Sequence, residues 1–295
     1  MNSLSPHRPL IKRLVFVIVT CLLLFIVGAG ISIWLFQALF AQSVARIFPA
    51  ALAGNIESYF FEFVGLHFAV LLYVRLTDQA VLRRFFGAYR HNTLRFFLIG
   101  LACGLAANGV CIALPLLRGE LAFASGHLPL WAGALMAFCV FVQASAEELL
   151  FRGYVLQYLA DGYSSPWVGI SVSSLLFAAG HFSNAGMNLL SFLNLLLAGL
   201  AFAIAVYYFG SFWFAVAFHT AWNFSQAFLF GLPNSGQSTG CSFLQLTSAR
   251  QSLFYDTAFG VEGTLSAACV FILIILAEFL LIRKQNLSLN REELS

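Results

Sequence analysis

The chain has 295 residues, 61% of them hydrophobic and 9% charged, with a mean hydropathy of +0.88 and a formal net charge of +3. Soluble domains carry about 25% charged residues, so the composition excludes a water-soluble fold and points to an integral membrane protein. A net charge this small and scattered also excludes a nucleic-acid surface.

β-Barrel alternation is absent, so the expected fold is all-α and polytopic: one bundle of about eight transmembrane helices, a single domain over 1–295. A span needs about 20 apolar residues. In chain order the predicted helices are 13–40, 58–77, 94–117, 130–159, 166–183, 187–208, 211–231 and 264–282. Only Asn184-Ala185-Gly186 divides the fifth from the sixth. The first has the basic start of a signal peptide, but its apolar run is too long for a cleavable one, so it is read as retained. The connection 232–263 is rich in Ser, Gly, Gln and Thr, and the tail Asn286–Ser295 is too short to fold alone.

Orientation follows from the basic residues in short connections. Arg8, Lys12 and Arg13 precede the first helix, Arg75, Arg83, Arg84, Arg90 and Arg95 surround the second connection, and Arg283, Lys284 and Arg291 end the chain. The connections on the other side hold only Arg46, Arg118 and Arg250. Both termini are therefore expected in the cytoplasm, with 232–263 facing outward. Of the six cysteines, Cys21, Cys103, Cys111, Cys139 and Cys269 fall in apolar runs and read as buried small hydrophobes. Cys241, in the polar connection, is the one candidate reactive thiol.

Between Leu130 and Ser248 the only Asp, Glu, Lys or Arg residues are Glu147, Glu148, Arg152 and Asp161. Asp161-Gly162 reads as a turn. An ionised side chain at the centre of a bilayer costs about 2.5–3.5 kcal/mol on insertion scales, so Glu147-Glu148-Leu149-Leu150-Phe151-Arg152 needs partners or a task. Glu148 and Arg152, four apart, share a helix face and can pair. Glu147 points about 100° away. His181 lies in Phe177-Ala178-Ala179-Gly180-His181, and His219 shares a face with Asn223, four residues on. A carboxylate, two imidazoles and a carboxamide are suitable parts for activating water and holding an oxyanion. Taken singly, a membrane Glu–Arg pair or histidine is as readily a packing device, and His7, His67, His91 and His127 are read that way. The conjunction of three clusters on neighbouring helices is what points to chemistry.

These clusters resemble the motif set of the CPBP family, also called the Abi or type II CAAX prenyl protease family: EExxxR, then FxxxH, then HxxxN or HxxxD. The chain has Glu147-Glu148-xxx-Arg152, Phe177-xxx-His181 and His219-xxx-Asn223, and Phe151-Arg152-Gly153 matches the family's usual FRG. The resemblance covers a core of about 130–230, four helices carrying the motifs. It implies an intramembrane endopeptidase, a hydrolase acting on a membrane-associated peptide or protein, with its cavity open toward the cytosol. By carry-over, Glu147 activates water with His181, His219 and Asn223 hold the oxyanion, and Glu148–Arg152 is a structural pair that orients Glu147. Members are often labelled metalloproteases. No HExxH helix is present, and the expectation is chemistry without a metal. Were zinc bound, Glu147, His181 and His219 would be its ligands, with a fourth position open.

The expected location is a bacterial inner (plasma) membrane, with the lipid bilayer and the substrate as partners and no nucleic acid. Two other function classes compete: a non-catalytic scaffold or bacteriocin-immunity-type protein of the same fold, and a proton-coupled transporter, for which the inverted repeats common in transporters are missing. The predicted limits also leave a mismatch in depth. Glu147 falls past mid-helix toward the cytoplasm, whereas His181 falls toward the outer end of its helix.

Overall fold

The structure, a computed structural model, describes residues 10–77 and 91–292. The first rod is α1 (Leu10–Leu35), a π turn at Phe36–Phe40 and α2 (Ala41–Ile47). The second is α3 (Ala50–Ile56), a π turn at Glu57–Phe61 and α4 (Glu62–Thr77), beginning eight residues before the predicted start at 58. The two run antiparallel in close contact. Gly65 N–H donates to Ser32 Oγ at 2.7 Å, and a Cβ on Gly28 would come within 2.7 Å of Leu66 Cα.

The third rod, α5 (Leu94–Leu117), has the predicted limits and is capped by Thr93, whose hydroxyl accepts from Phe96 N–H. Next come α6 (Leu130–Glu148), a π turn at Leu149–Val155 and α7 (Leu156–Ala160). The remaining helices are α8 (Trp167–Ala179), α9 (Leu189–Phe209), α10 (Phe212–Phe224) with a π turn at Ser225–Leu229, and α11 (Leu265–Glu292). An Asn188–Ser191 capping box starts α9, and Gly210, at φ 59°, ends it.

Six of these rods are long and apolar enough to cross a membrane: 11–47, 50–77, 94–117, 130–160, 189–209 and 265–284. α8 is not. Its 13 residues extend about 20 Å, short of a hydrocarbon core of about 30 Å. The predicted span 166–183 therefore ends four residues early, and the chain turns back within the bundle through 180–188.

The connections gather at two ends. At one, His91 N–H donates to Gly210 O at 3.1 Å, and Trp167 at the start of α8 stacks on Phe279 of α11 at 5.7 Å. This end carries the described basic residues Lys12, Arg13, Arg75, Arg95, Arg283 and Lys284. At the other, a two-stranded antiparallel sheet pairs β1 (Leu121–Ser125) with β2 (Leu244–Ala249). The alternation of Leu244 and Leu246 with polar neighbours was the readable trace of it. Glu120 fastens this sheet, accepting from Arg118 Nε at 2.8 Å and Ser252 Oγ at 2.7 Å. Three amides clamp the long connection at the same end: Asn55 donates to Thr239 O at 2.8 Å, Asn184 to Ser235 O at 2.9 Å and Asn188 to Asp256 Oδ2 at 3.1 Å.

Close approach of α5 and α10 shapes the core. A Cβ on Gly100 or Gly104 would collide with the carbonyls of Phe214 and Phe218, so small residues let these backbones meet. All six cysteines are free; Cys21, Cys111 and Cys139 are buried, but Cys103 and Cys269 lie on the outer surface of their helices, contrary to the expectation that all five are internal. Cys241 accepts from Asn55 Nδ2 at 3.3 Å, and burial raises its thiol, which argues against a reactive thiolate.

Candidate active site

Glu147 and Glu148 are the last two residues of α6, so the EExxxR motif straddles the junction of α-helix and π turn. π segments occur often at functional sites. Arg152 is fully buried in the π turn, where Nη1 donates to Glu148 Oε1 at 2.9 Å and Nη2 to Gly199 O at 3.2 Å. Its guanidinium lies 4.4 Å from the Phe177 ring centroid and 5.4 Å from that of Phe202. Carboxylate, carbonyl and two π faces hold a cation that the apolar core would otherwise reject, although Arg152 Nε and Glu148 Oε2 have no hydrogen-bond partner.

Glu148 also binds His219, whose Nδ1 is 3.1 Å from Glu148 Oε1. The predicted structural pair is thus a triad, and Glu148 fixes the imidazole as well as the arginine. The other ring nitrogen, Nε2, faces Glu147 Oε2 across 3.9 Å. His181 lies just past α8, not within the helix as expected, in a turn closed by its N–H to Ala178 O at 3.2 Å. Its Nδ1 is 2.9 Å from Phe177 O. That carbonyl only accepts, so Nδ1 carries the proton and Nε2 offers a lone pair. The Phe177 ring stands between the two imidazoles, 5.1 Å from His181 and 5.8 Å from His219.

Three residues outside the motifs complete the array. Gln143 Nε2 donates to Glu147 Oε1 at 2.6 Å, and Asn223 Nδ2 donates to Gln143 Oε1 at 3.0 Å. Asn234 Nδ2 donates both to Asn223 Oδ1 and to Glu262 Oε1, each at 3.2 Å. Glu262 also accepts from Trp222 Nε1 at 3.0 Å and Gln226 Nε2 at 2.6 Å. Burial pushes its carboxyl above the ordinary range, while Gln226 and Trp222 pull it back. A chain of three carboxamides therefore runs between two carboxylates. Because carboxylates only accept, the chain has one sense: every amide oxygen and nitrogen is assigned.

Glu147, His181, His219 and Asn223 all line one cavity of about 250 Å³, together with Tyr59, Gln143, Asn194, Asn234 and Glu262. This removes the mismatch in depth expected from the helix limits, because α8 stops short and its following turn carries His181 inward. Glu147, His219 and Asn223 are each only 6% exposed. Three buried polar atoms on the wall lack a protein partner: Glu147 Oε2, Tyr59 OH and Asn194 Oδ1.

Two other histidines have partners away from this centre. His67 bridges Phe63 O at 3.1 Å and Ser145 Oγ at 3.0 Å, and His91 Nδ1 is 2.7 Å from Phe209 O. His7 lies outside the described residues. The donor types at Glu147, His181 and His219 would suit zinc, but among the described residues no three His, Cys, Asp or Glu side chains are gathered at metal-ligand spacing. The arrangement does not fit the zinc site that the resemblance allowed.

Fold and site define a polytopic helical membrane protein with a buried carboxylate–imidazole centre. A family model described as type II CAAX prenyl endopeptidase Rce1-like matches residues 129–225, so over this stretch, α6 to α10, the chain is similar to that family. The match supports a protease of the hydrolase class. Comparison with the curated proteins and with the solved structures gave no match.

Proposed function

We propose that the protein is an intramembrane endopeptidase that hydrolyses a peptide bond with water activated by Glu147. The observation that carries this reading is the state of the Glu147 carboxylate. Gln143 holds Oε1, while Oε2 is buried on the cavity wall without a hydrogen-bond partner, 3.9 Å from His219 Nε2. A water there gives its proton to Glu147 as its oxygen attacks the scissile carbonyl, and the His181 Nε2 lone pair orients it. The tetrahedral oxyanion takes a hydrogen bond from the second N–H of Asn223 Nδ2, with the Nε2 edge of His219 on its other side. Glu147 then returns the proton to the leaving amine.

Glu148 and Arg152 do not touch the substrate in this scheme. They hold His219 and close the turn after Glu147. In purified protein, Glu147→Gln should lower cleavage of a membrane-peptide substrate by about 10³-fold, at the scale of a general base, with the folded yield unchanged. Wild-type rates in that variant would defeat the assignment.

A further inference from the structure

The cavity meets its surroundings at the end of the bundle opposite the basic clusters. Its lining residues beyond the helices come from the 180–188 turn (His181, Ser183, Asn184) and from the long connection (Asn234, Ser235, Gln237). Both connections belong to the end that carries the β1–β2 sheet and its clamps. The exposed lining residues mark the mouth: Gly180, Ser183 and Gln237 lie toward this end, and Phe25 and Glu62 lie farther down, near mid-length of the first two rods. Among the described residues, Lys12, Arg13, Arg75, Arg95, Arg283 and Lys284 lie toward the other end, against Arg46, Arg118 and Arg250 here. Short basic connections stay in the cytoplasm, so the mouth lies on the outer side. This is the reverse of the cytosolic opening that the family resemblance implied.

The wall has one sign of charge. Imidazoles aside, the charged side chains lining the cavity are Glu62, Glu147 and Glu262, and no Lys or Arg is among them. Such a surface repels a peptide whose free carboxylate or acidic side chains sit beside the scissile bond, and attracts a basic one. We propose, resting on the protease reading above, that the site cleaves polypeptide segments presented from the extracytoplasmic side, next to the membrane, with basic side chains flanking the scissile bond.

The test uses the full chain expressed in bacterial cells and a membrane-impermeant, quenched-fluorescent peptide library with Lys on both sides of a randomised core. Spheroplasts expose the outer face and inverted vesicles the cytoplasmic face, and Glu147→Gln membranes set the background. The expected result is cleavage by spheroplasts at once and by inverted vesicles only after detergent. Cleavage by intact inverted vesicles overturns the proposed sidedness and leaves the protease reading standing. No cleavage above background in either preparation, even in detergent, overturns the protease reading and this proposal with it. In detergent, Lys-flanked peptides should exceed Glu-flanked ones in kcat/KM by about tenfold, and Glu62→Gln should narrow the ratio to about threefold. Equal rates for the two peptide sets would refute the charge preference alone.

Discussion

At the residue scale, the amide chain sets which atom each of its side chains presents. Asn223 turns its oxygen toward Asn234 and its nitrogen toward Gln143 because Glu262 and Glu147, at the two ends, leave no other assignment. Glu262→Gln puts an amide nitrogen among donors from Trp222, Gln226 and Asn234, so Asn234 loses its anchor and Asn223 is free to turn. Misplacing a reacting group by an ångström costs about 10²-fold. The expected result is a kcat about 10–100-fold lower with KM within about twofold; a fall in folded yield with an unchanged kcat would leave Glu262 a purely structural residue. Glu147, Glu148, Arg152, His219 and Asn223 were legible because helical spacing ties them together. Gln143 carried the same signal, one turn ahead of Glu147, but a glutamine among apolar residues draws no notice. Asn234 and Glu262 carried none, since irregular connections have no period from which to infer facing.

At the element scale, the two-stranded sheet depends on one acid. Hydrogen bonds from Ser252 and Arg118 hold the Glu120 carboxyl below its usual range. A lowered folded value means that its contribution is complete above the unfolded carboxylate pKa of about 4.3. The contribution is lost as pH falls through the lower folded value. Protection of β2 amides from hydrogen exchange should therefore be flat from pH 7 to about 5 and should decline below about 4. In Glu120→Gln it should be reduced throughout and independent of pH. The helices themselves followed hydropathy closely, α5 to the residue. α8 escaped because its apolar run continues into a turn: Gly180, His181 and Phe182 read as helix until the packing partner is known. The sheet was missed because two short strands, one of five residues and one of six, fall inside connections that look polar and irregular.

At the scale of the whole molecule, the bundle separates a basic end from a sheet-bearing end, and the site belongs to the second. Pairing contacts establish these ends: the backbone bond of His91 to Gly210 at one and the β1–β2 ladder at the other. Composition made the long spanning rods readable, although six, not eight, are long and apolar enough to cross a membrane. It could not show which connections fold inward over the cavity. The proposed metal-free chemistry is also a property of the assembled protein. Treating it with a chelator and dialysing should leave peptide cleavage within about twofold, and added zinc should not raise it; activity that is lost on chelation and restored by zinc would require a metal in the mechanism.

The wide turn at Leu149–Val155 has a further consequence for inheritance. A π turn is what a single inserted residue leaves behind in an α-helix, so this part of the chain is sensitive to length as well as to chemistry. Deleting Gly153 leaves the text of the EExxxR motif untouched. It restores the tighter pitch, however, and rotates Tyr154–Ala160 by about 100° relative to α6. Tyr154 would leave its partner Tyr73, whose hydroxyl is 3.4 Å away, and Leu156 and Leu159 would leave the core. Such a deletion should abolish accumulation of the folded protein, while Gly153→Ala is tolerated, as expression and thermal unfolding in detergent would show. Among descendants of this chain, substitutions within the turn should far outnumber deletions.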